Sequence, residues 1–163
     1  MKILSMKTTI FLGAMLSLLV CLMFTGCSNS ETNSTSRGLT DFAHIEEEYL
    51  ATIDSLNWPD GIALPDKLED EDTGASFQVG YGETRASYLW EYSWMKEWLD
   101  TYSTDPERAE KALEELEKAF DMPYMGIDRC DDATRNYLRE NIDKAKLGDP
   151  SGFTESIRAN YAN

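Results

Sequence analysis

The stretch from Glu83 to Ser103 constrains the fold more than any other part of the chain, because its apolar residues cover a very wide arc of one helix. At about 100° per residue, one stripe of this helix carries Tyr88, Tyr92, Met95, Leu99 and Tyr102. A second stripe, rotated by roughly 100°, carries Trp90, Trp94 and Trp98. One antiparallel partner helix cannot cover both stripes. The helix therefore needs two neighbours, or one neighbour and a ligand.

The region before this helix combines a second helix with an extended segment. Leu39–Leu56 repeats apolar residues at steps of three and four, with Thr40 or Asp41 as its cap. Ile62–Gly82 instead alternates apolar and polar residues in two places, which predicts two extended stretches or a short hairpin. Two strands alone are not stable in water, so we expect this segment to pack across the helices.

Three further helices are predicted towards the C-terminus. The first of them begins at Thr104-Asp105-Pro106-Glu107, where Thr104 and Asp105 are both possible caps and Glu107 completes the Thr-x-x-Glu pattern of a capping box. The next spans Asp132–Leu147 and stops at Gly148, and the last, short helix starts after Asp149-Pro150. The chain is therefore predicted to be mostly α, a four- to five-helix antiparallel array with an extended or hairpin segment across one side, forming a single acidic domain over residues 39–163.

The N-terminal residues have the pattern of a targeting segment. Lys2 and Lys7 precede an apolar stretch that is short for a spanning helix, which needs roughly 20 apolar residues. It ends at Phe24-Thr25-Gly26-Cys27, which resembles the lipobox of bacterial lipoproteins, with Phe24 where leucine is usual. The resemblance implies that a signal peptide, residues 1–26, is removed and that the thiol of Cys27 carries diacylglycerol. An uncleaved anchor helix and an ordinary signal-peptidase site are the alternatives.

The resemblance also implies a location. Residues 27–38 are rich in serine, threonine and asparagine and cannot bury apolar surface, so we expect a flexible polar tether. The domain is then expected on the extracytoplasmic face of a bacterial cell envelope, attached to the membrane through lipid on Cys27. The number of membranes in that envelope and the oligomeric state stay open.

The charge of the chain excludes one class of partner. The full sequence has 15 basic and 30 acidic residues, a net charge of −15. Loss of Lys2 and Lys7 with the signal peptide leaves 13 basic residues and a net charge of −17. Such a protein repels nucleic acid, so we expect no nucleic-acid partner. Cations, basic peptides and neutral surfaces are better matched to it.

Motifs for catalysis or metal binding are missing from the sequence. His44 is the only histidine, and the chain has neither a nucleophile elbow nor a phosphate-binding glycine loop. Cysteine and histidine do not occur at metal-ligand spacing, so we predict no metal site and no cofactor. Cys130 is the single thiol that processing would leave free. Because 30 acidic residues supply many carboxylate pairs, a hydrolytic enzyme acting on envelope material stays open as an alternative.

The tryptophan stripe is the one candidate binding surface. Trp90, Trp94 and Trp98 could form a second half of the core, closed by the Ile62–Tyr81 segment and Trp58. They could instead form an aromatic groove for a peptide or a partner protein, or stack on sugar faces. The leading hypothesis is a non-enzymatic, lipid-tethered protein- or peptide-binding module that uses these three residues. A hydrolase and a purely structural envelope component are the alternatives.

Overall fold

The structure is a computed structural model that describes residues 38–69 and 72–161, all of which belong to one compact unit. Its five helices are α1 (Phe42–Ser55), α2 (Tyr81–Thr101), α3 (Pro106–Glu117), α4 (Asp132–Lys146) and α5 (Ser151–Asn160). Two 3-10 turns, Lys118–Asp121 and Pro123–Met125, connect α3 to α4. Strands β1 (Leu39–Thr40) and β2 (Phe77–Gln78) form a small antiparallel sheet. The predicted mostly α fold with a small extended element is confirmed.

Local capping explains where three of the helices begin. The side chains of Asp41, Asp105 and Asp131 each accept a hydrogen bond from the backbone N–H three residues later, at 2.8 to 3.2 Å. Of the two predicted caps of α3, Asp105 is therefore confirmed, and the capping box on Thr104 is wrong. Gly148, with φ of +79°, ends α4 because glycine adopts the left-handed conformation without strain.

The partner of the extended segment differs from the predicted one. Phe77 and Gln78 pair with Thr40 and Leu39, whereas Ile62–Leu64 lies in no strand. Asp41 caps α1 and leaves the two residues before it free to extend. The ring of Phe77 packs against Phe42 at 6.2 Å, which holds β2 beside the start of α1.

Helix α2 lies at the centre of the fold and contacts α1, α3 and α5. Between α1 and α2 a first core cluster forms around Ile45, Tyr49 and Ile53. On its other side, α2 packs with α3, α4 and α5 around the tryptophans. In the part of the chain that the structure describes, no helix is long and apolar enough to cross a membrane.

The contact between α1 and α2 depends on two unusual features. A Cβ atom on Gly82 would lie 1.8 Å from the backbone oxygen of Ile45, so only glycine permits the two backbones to approach this closely. The carboxylate of Glu48 on α1 accepts hydrogen bonds from the backbone N–H groups of Gly80 and Gly82 at 2.8 to 3.2 Å. Glu48 therefore caps the N-terminus of α2 from a neighbouring helix.

Candidate functional site

The tryptophan stripe lies in the core. Trp90, Trp94 and Trp98 are only 1%, 1% and 2% exposed. The indole N–H groups of Trp90 and Trp94 both donate to the backbone oxygen of Asn57, at 2.8 and 3.1 Å. The three indole rings are thus enclosed by helices α3 to α5 and by the loop at Asn57. The sequence alone was also compatible with an open groove at this position. Burial this deep leaves no aromatic surface there for a partner, which favours the core alternative. Trp58 packs against this cluster as predicted, but the Ile62–Tyr81 segment packs on the other core cluster, so its predicted closing role is wrong.

A different aromatic surface remains accessible on the far edge of α2. There, a cavity of about 300 Å³ opens between α2, α4 and α5. Tyr88 and Tyr137 are 41% and 40% exposed at this cavity. The described residues that line it are Tyr88, Glu91, Met125, Thr134, Tyr137, Leu138, Ser156, Asn160 and Tyr161. A concave, mainly apolar site with a few polar groups is typical of ligand binding.

Glu91 is the only carboxylate that lines this cavity among the described residues. Its side chain lies almost fully within the fold, at 7% exposure. The hydroxyl of Tyr124 donates a hydrogen bond to Oε2 of Glu91 at 2.7 Å. Burial raises the pKa of Glu91 to about 7, although the hydrogen bond from Tyr124 opposes that change. Glu91 therefore exchanges its proton close to neutral pH.

Tyrosine rings surround this carboxyl group. Tyr124 packs edge-on against Tyr88, with ring centroids 5.6 Å apart, and Tyr161 packs against Tyr92 at 5.0 Å. Burial and then the nearby charge of Glu91 raise the pKa of both Tyr124 and Tyr161. Both hydroxyl groups consequently stay protonated at neutral pH and can act as hydrogen-bond donors.

A wider groove adjoins the cavity. It encloses about 650 Å³ and reaches from Tyr49 on α1 to the segment around Leu68. Three residues, Tyr88, Asn160 and Tyr161, line both spaces. The two spaces therefore share one wall, and a ligand in the groove passes directly beside the cavity.

Sequence reasoning missed Glu91, although the sequence carries a signal for it. At about 100° per residue, Glu91 falls between the tyrosine stripe and the tryptophan stripe, in the middle of the apolar arc. A carboxylate at that position must be buried and needs a partner. The sequence gives no comparable signal for Tyr124 or Tyr161, which only the tertiary structure brings to the same cavity.

The other candidates from the sequence carry no developed site. His44 is half exposed, and its Nε2 lies 3.4 Å from Glu48. Burial raises the pKa of Cys130, which argues against a reactive thiolate. No group of three metal-ligating side chains occurs within residues 38–69 and 72–161. Cys27, the predicted signal peptide and nearly all of the predicted tether lie outside the described residues.

Comparison of the chain with protein-family models, with curated proteins and with solved structures gave no match.

The chemistry open to the cavity follows from its single carboxyl group. Glycoside hydrolysis needs two carboxyl groups on either side of the scissile bond. Glu91 has no second carboxylate beside it among the described lining residues. The cavity therefore offers a ligand hydrogen-bonding groups, aromatic side chains and one carboxyl group.

Proposed function

We propose that this protein is a non-enzymatic binding module, held by lipid on Cys27 at the extracytoplasmic face of a bacterial membrane, that binds a protein or peptide segment. The observation that supports the binding activity is the pair of adjoining spaces whose common wall is Tyr88, Asn160 and Tyr161. The proposed binding surface is therefore the side of α2 that carries Tyr88, and it replaces the surface of Trp90, Trp94 and Trp98 that the sequence suggested.

The shape and composition of this face suit a peptide. The open groove of about 650 Å³ gives room for a short extended backbone, and the cavity of about 300 Å³ beside it gives room for one side chain. Tyrosine supplies large contact area with little loss of conformational entropy, which is why it is common at protein interfaces. Tyr88 is exposed in the free protein and stands at the boundary of both spaces.

Peptide selection tests the binding activity. A random linear peptide library would be selected against the full chain, and the enriched peptides would be measured on wild type, Tyr88→Ala and Tyr102→Ala. Tyr102 is a matched control because it is 38% exposed at the other end of α2, about 21 Å along the helix axis. We expect Tyr88→Ala to weaken binding at least about tenfold, the cost of one truncated interface anchor, and Tyr102→Ala to leave it unchanged.

Two outcomes would contradict the proposal, one for the binding activity and one for its location. One is that no peptide is enriched, which would favour the purely structural alternative. The other is that Tyr88→Ala binds like wild type, which would place binding elsewhere on the protein. Circular dichroism and thermal unfolding of both variants separate lost contact from lost fold.

The lipid anchor has its own test. Labelled palmitate should be incorporated into the full chain in a bacterial host and should not be incorporated into Cys27→Ala. The same variant should move from the membrane fraction to the soluble fraction if the signal peptide is still cleaved. Unlabelled wild-type protein would contradict the anchor and would favour the uncleaved helix or an ordinary signal peptide.

The enzyme alternative is favoured by one observation, the raised pKa of Glu91. It requires a second functional group at the same cavity. Release of reducing ends or peptides from purified envelope polymer, lost in Glu91→Gln, would support a hydrolase over a binding module.

A further inference from the structure

Among the described residues, the charge of Glu91 is not balanced by a cation, whereas two other acids that are wholly or partly shielded from water each have one. Glu115, on α3, is 8% exposed and lies 2.6 Å from Nζ of Lys118. Glu83 lies 2.7 Å from Nη1 of Arg129. Lysine, arginine and histidine are all missing from the described lining of the Glu91 cavity. A buried carboxylate without a neighbouring cation costs free energy of desolvation. A cationic ligand that pairs with Glu91 would offset this cost, which the described lining residues do not offset.

The walls of the cavity are also suited to a cation. Tyr88, Tyr137 and Tyr161 line it from α2, α4 and from the residue that follows α5. Aromatic faces attract ammonium groups, and rings grouped around an acid form the cages that recognise amines. Met125 and Leu138 add apolar surface for an alkyl chain. The hydroxyl groups of Thr134 and Ser156, which line the same cavity, offer acceptors for ammonium protons.

We propose that the Glu91 cavity binds the ammonium group of an alkylamine, presented as the lysine side chain of the peptide that lies in the adjoining groove. This inference rests on the proposed function and names the residue by which the peptide is anchored. The shared wall at Tyr88 and Tyr161 lets one side chain enter the cavity while the backbone stays in the groove. The excess of acidic residues over basic ones, 30 against 15, favours such a basic segment over an acidic one.

Binding of an ammonium group should depend on the ionisation of Glu91. The titratable groups that face it are Tyr88 on its own helix, Tyr124 in the second 3-10 turn, Cys130 in the following loop and Tyr161 after α5. Burial raises the pKa of all four groups, so they stay neutral between pH 5.5 and 8. Tyr137 also lines the cavity, from α4. Glu91, with its pKa raised to about 7, is then the group that changes charge in this interval.

The pH effect has a definite size and sign. With a pKa of about 7, the ionised fraction of Glu91 rises about 30-fold between pH 5.5 and pH 8. Because the ionised form is the one that pairs with an ammonium group, apparent affinity should rise with pH by about the same factor. Binding should also release up to one proton near pH 6.5.

The test uses the full chain and three versions of one selected peptide. Its lysine is kept, acetylated at Nζ, or replaced by norleucine, and binding is measured by calorimetry at pH 5.5 and 8. At pH 8 we expect acetylation or norleucine to weaken binding at least tenfold. Glu91→Gln should weaken binding of the lysine peptide equally and remove its pH dependence. Glu115→Gln, which changes an equally buried acid outside the cavity, should bind like wild type.

The outcomes separate this inference from the proposed function. Enriched peptides that bind equally well with acetyl-lysine, or equally well to Glu91→Gln, overturn the ammonium site and leave peptide binding standing. If no peptide is enriched, the probe is n-butylamine. Its binding is then monitored through the NMR signals of the Tyr88 and Tyr161 side chains. Binding of butylamine to the wild type that is lost in Glu91→Gln would identify a free amine as the ligand. It would reject the part of the inference in which a peptide lysine supplies the ammonium group. Absence of both peptide and butylamine binding overturns the inference together with the function.

Discussion

The substitution Glu91→Gln should change the pH dependence of stability in a way that the buried carboxyl group dictates. The pKa of Glu91 rises from 4.5 to about 7 on folding because the side chain leaves water. Between those pH values the native state binds more protons than the unfolded state. The contribution of Glu91 to stability is therefore fully present below pH 4.5 and is lost as the pH rises to 7.

The size of the effect follows from the same shift. Each pKa unit corresponds to 1.36 kcal/mol, so ionisation of Glu91 costs the folded protein about 3 kcal/mol at pH 8. Domains of this size are stable by only about 5 to 15 kcal/mol, so the effect is readily measured. Glutamine has nearly the same shape, stays neutral, and can accept the hydrogen bond from Tyr124. Relative to wild type, Glu91→Gln should be about neutral at pH 4.5 and stabilising by up to about 3 kcal/mol at pH 8.

Urea denaturation at pH 4.5, 6 and 8 measures this difference. Taking the difference between variant and wild type removes the contribution of the other acidic residues, which is common to both proteins. Glu115→Gln is the matched control, because Glu115 is equally buried but its charge is paired with Lys118. That variant should not gain stability as the pH rises. A Glu91→Gln difference that stays flat, or that falls with pH, would refute the account of an unpaired buried carboxylate.

Three further substitutions test the packing of α2. Trp94→Ala should lower the free energy of unfolding by about 3 to 5 kcal/mol in urea, as truncation of a buried aromatic ring does; a loss below about 1 kcal/mol would mean that the ring is not core. Gly82→Ala places a Cβ atom 1.8 Å from a backbone oxygen of α1 and should cost at least about 2 kcal/mol, whereas Gly38→Ala, with nothing within 4 Å, should cost little. Glu48→Ala removes the cap of α2 and should cost about 2 kcal/mol by thermal unfolding, while its exposed neighbour Glu47→Ala should be close to neutral; equal losses in the two variants would exclude the capping role.

Local signals in the sequence determined most of the secondary structure. Aspartates before helical runs, glycines after them and apolar periodicity act within a few residues, because capping bonds and helical hydrogen bonds span only three or four positions. Asp41 and Asp105 could therefore be recognised as part of helix starts, and Gly148 as a helix end. The predicted span of α2 was offset by only two residues at each end.

The tertiary structure decided which surface of α2 faces water. Periodicity showed two aromatic stripes and left open whether the tryptophan stripe is a second half of the core or an open groove. The backbone oxygen of Asn57, 33 residues from Trp90, settles this by accepting two indole hydrogen bonds. Tertiary packing likewise brings Glu48 of α1 to the start of α2, where it serves as a cap.

The candidate site itself combines both kinds of information. The sequence by itself fixed the position of Glu91 in the middle of an apolar arc, because the helical angle per residue is constant. Only the fold brought Tyr124 and Tyr161 to that carboxyl group, across 33 residues in the case of Tyr124. Such contacts depend on how whole helices pack, and no local pattern encodes which distant side chain fills the space beside a buried acid.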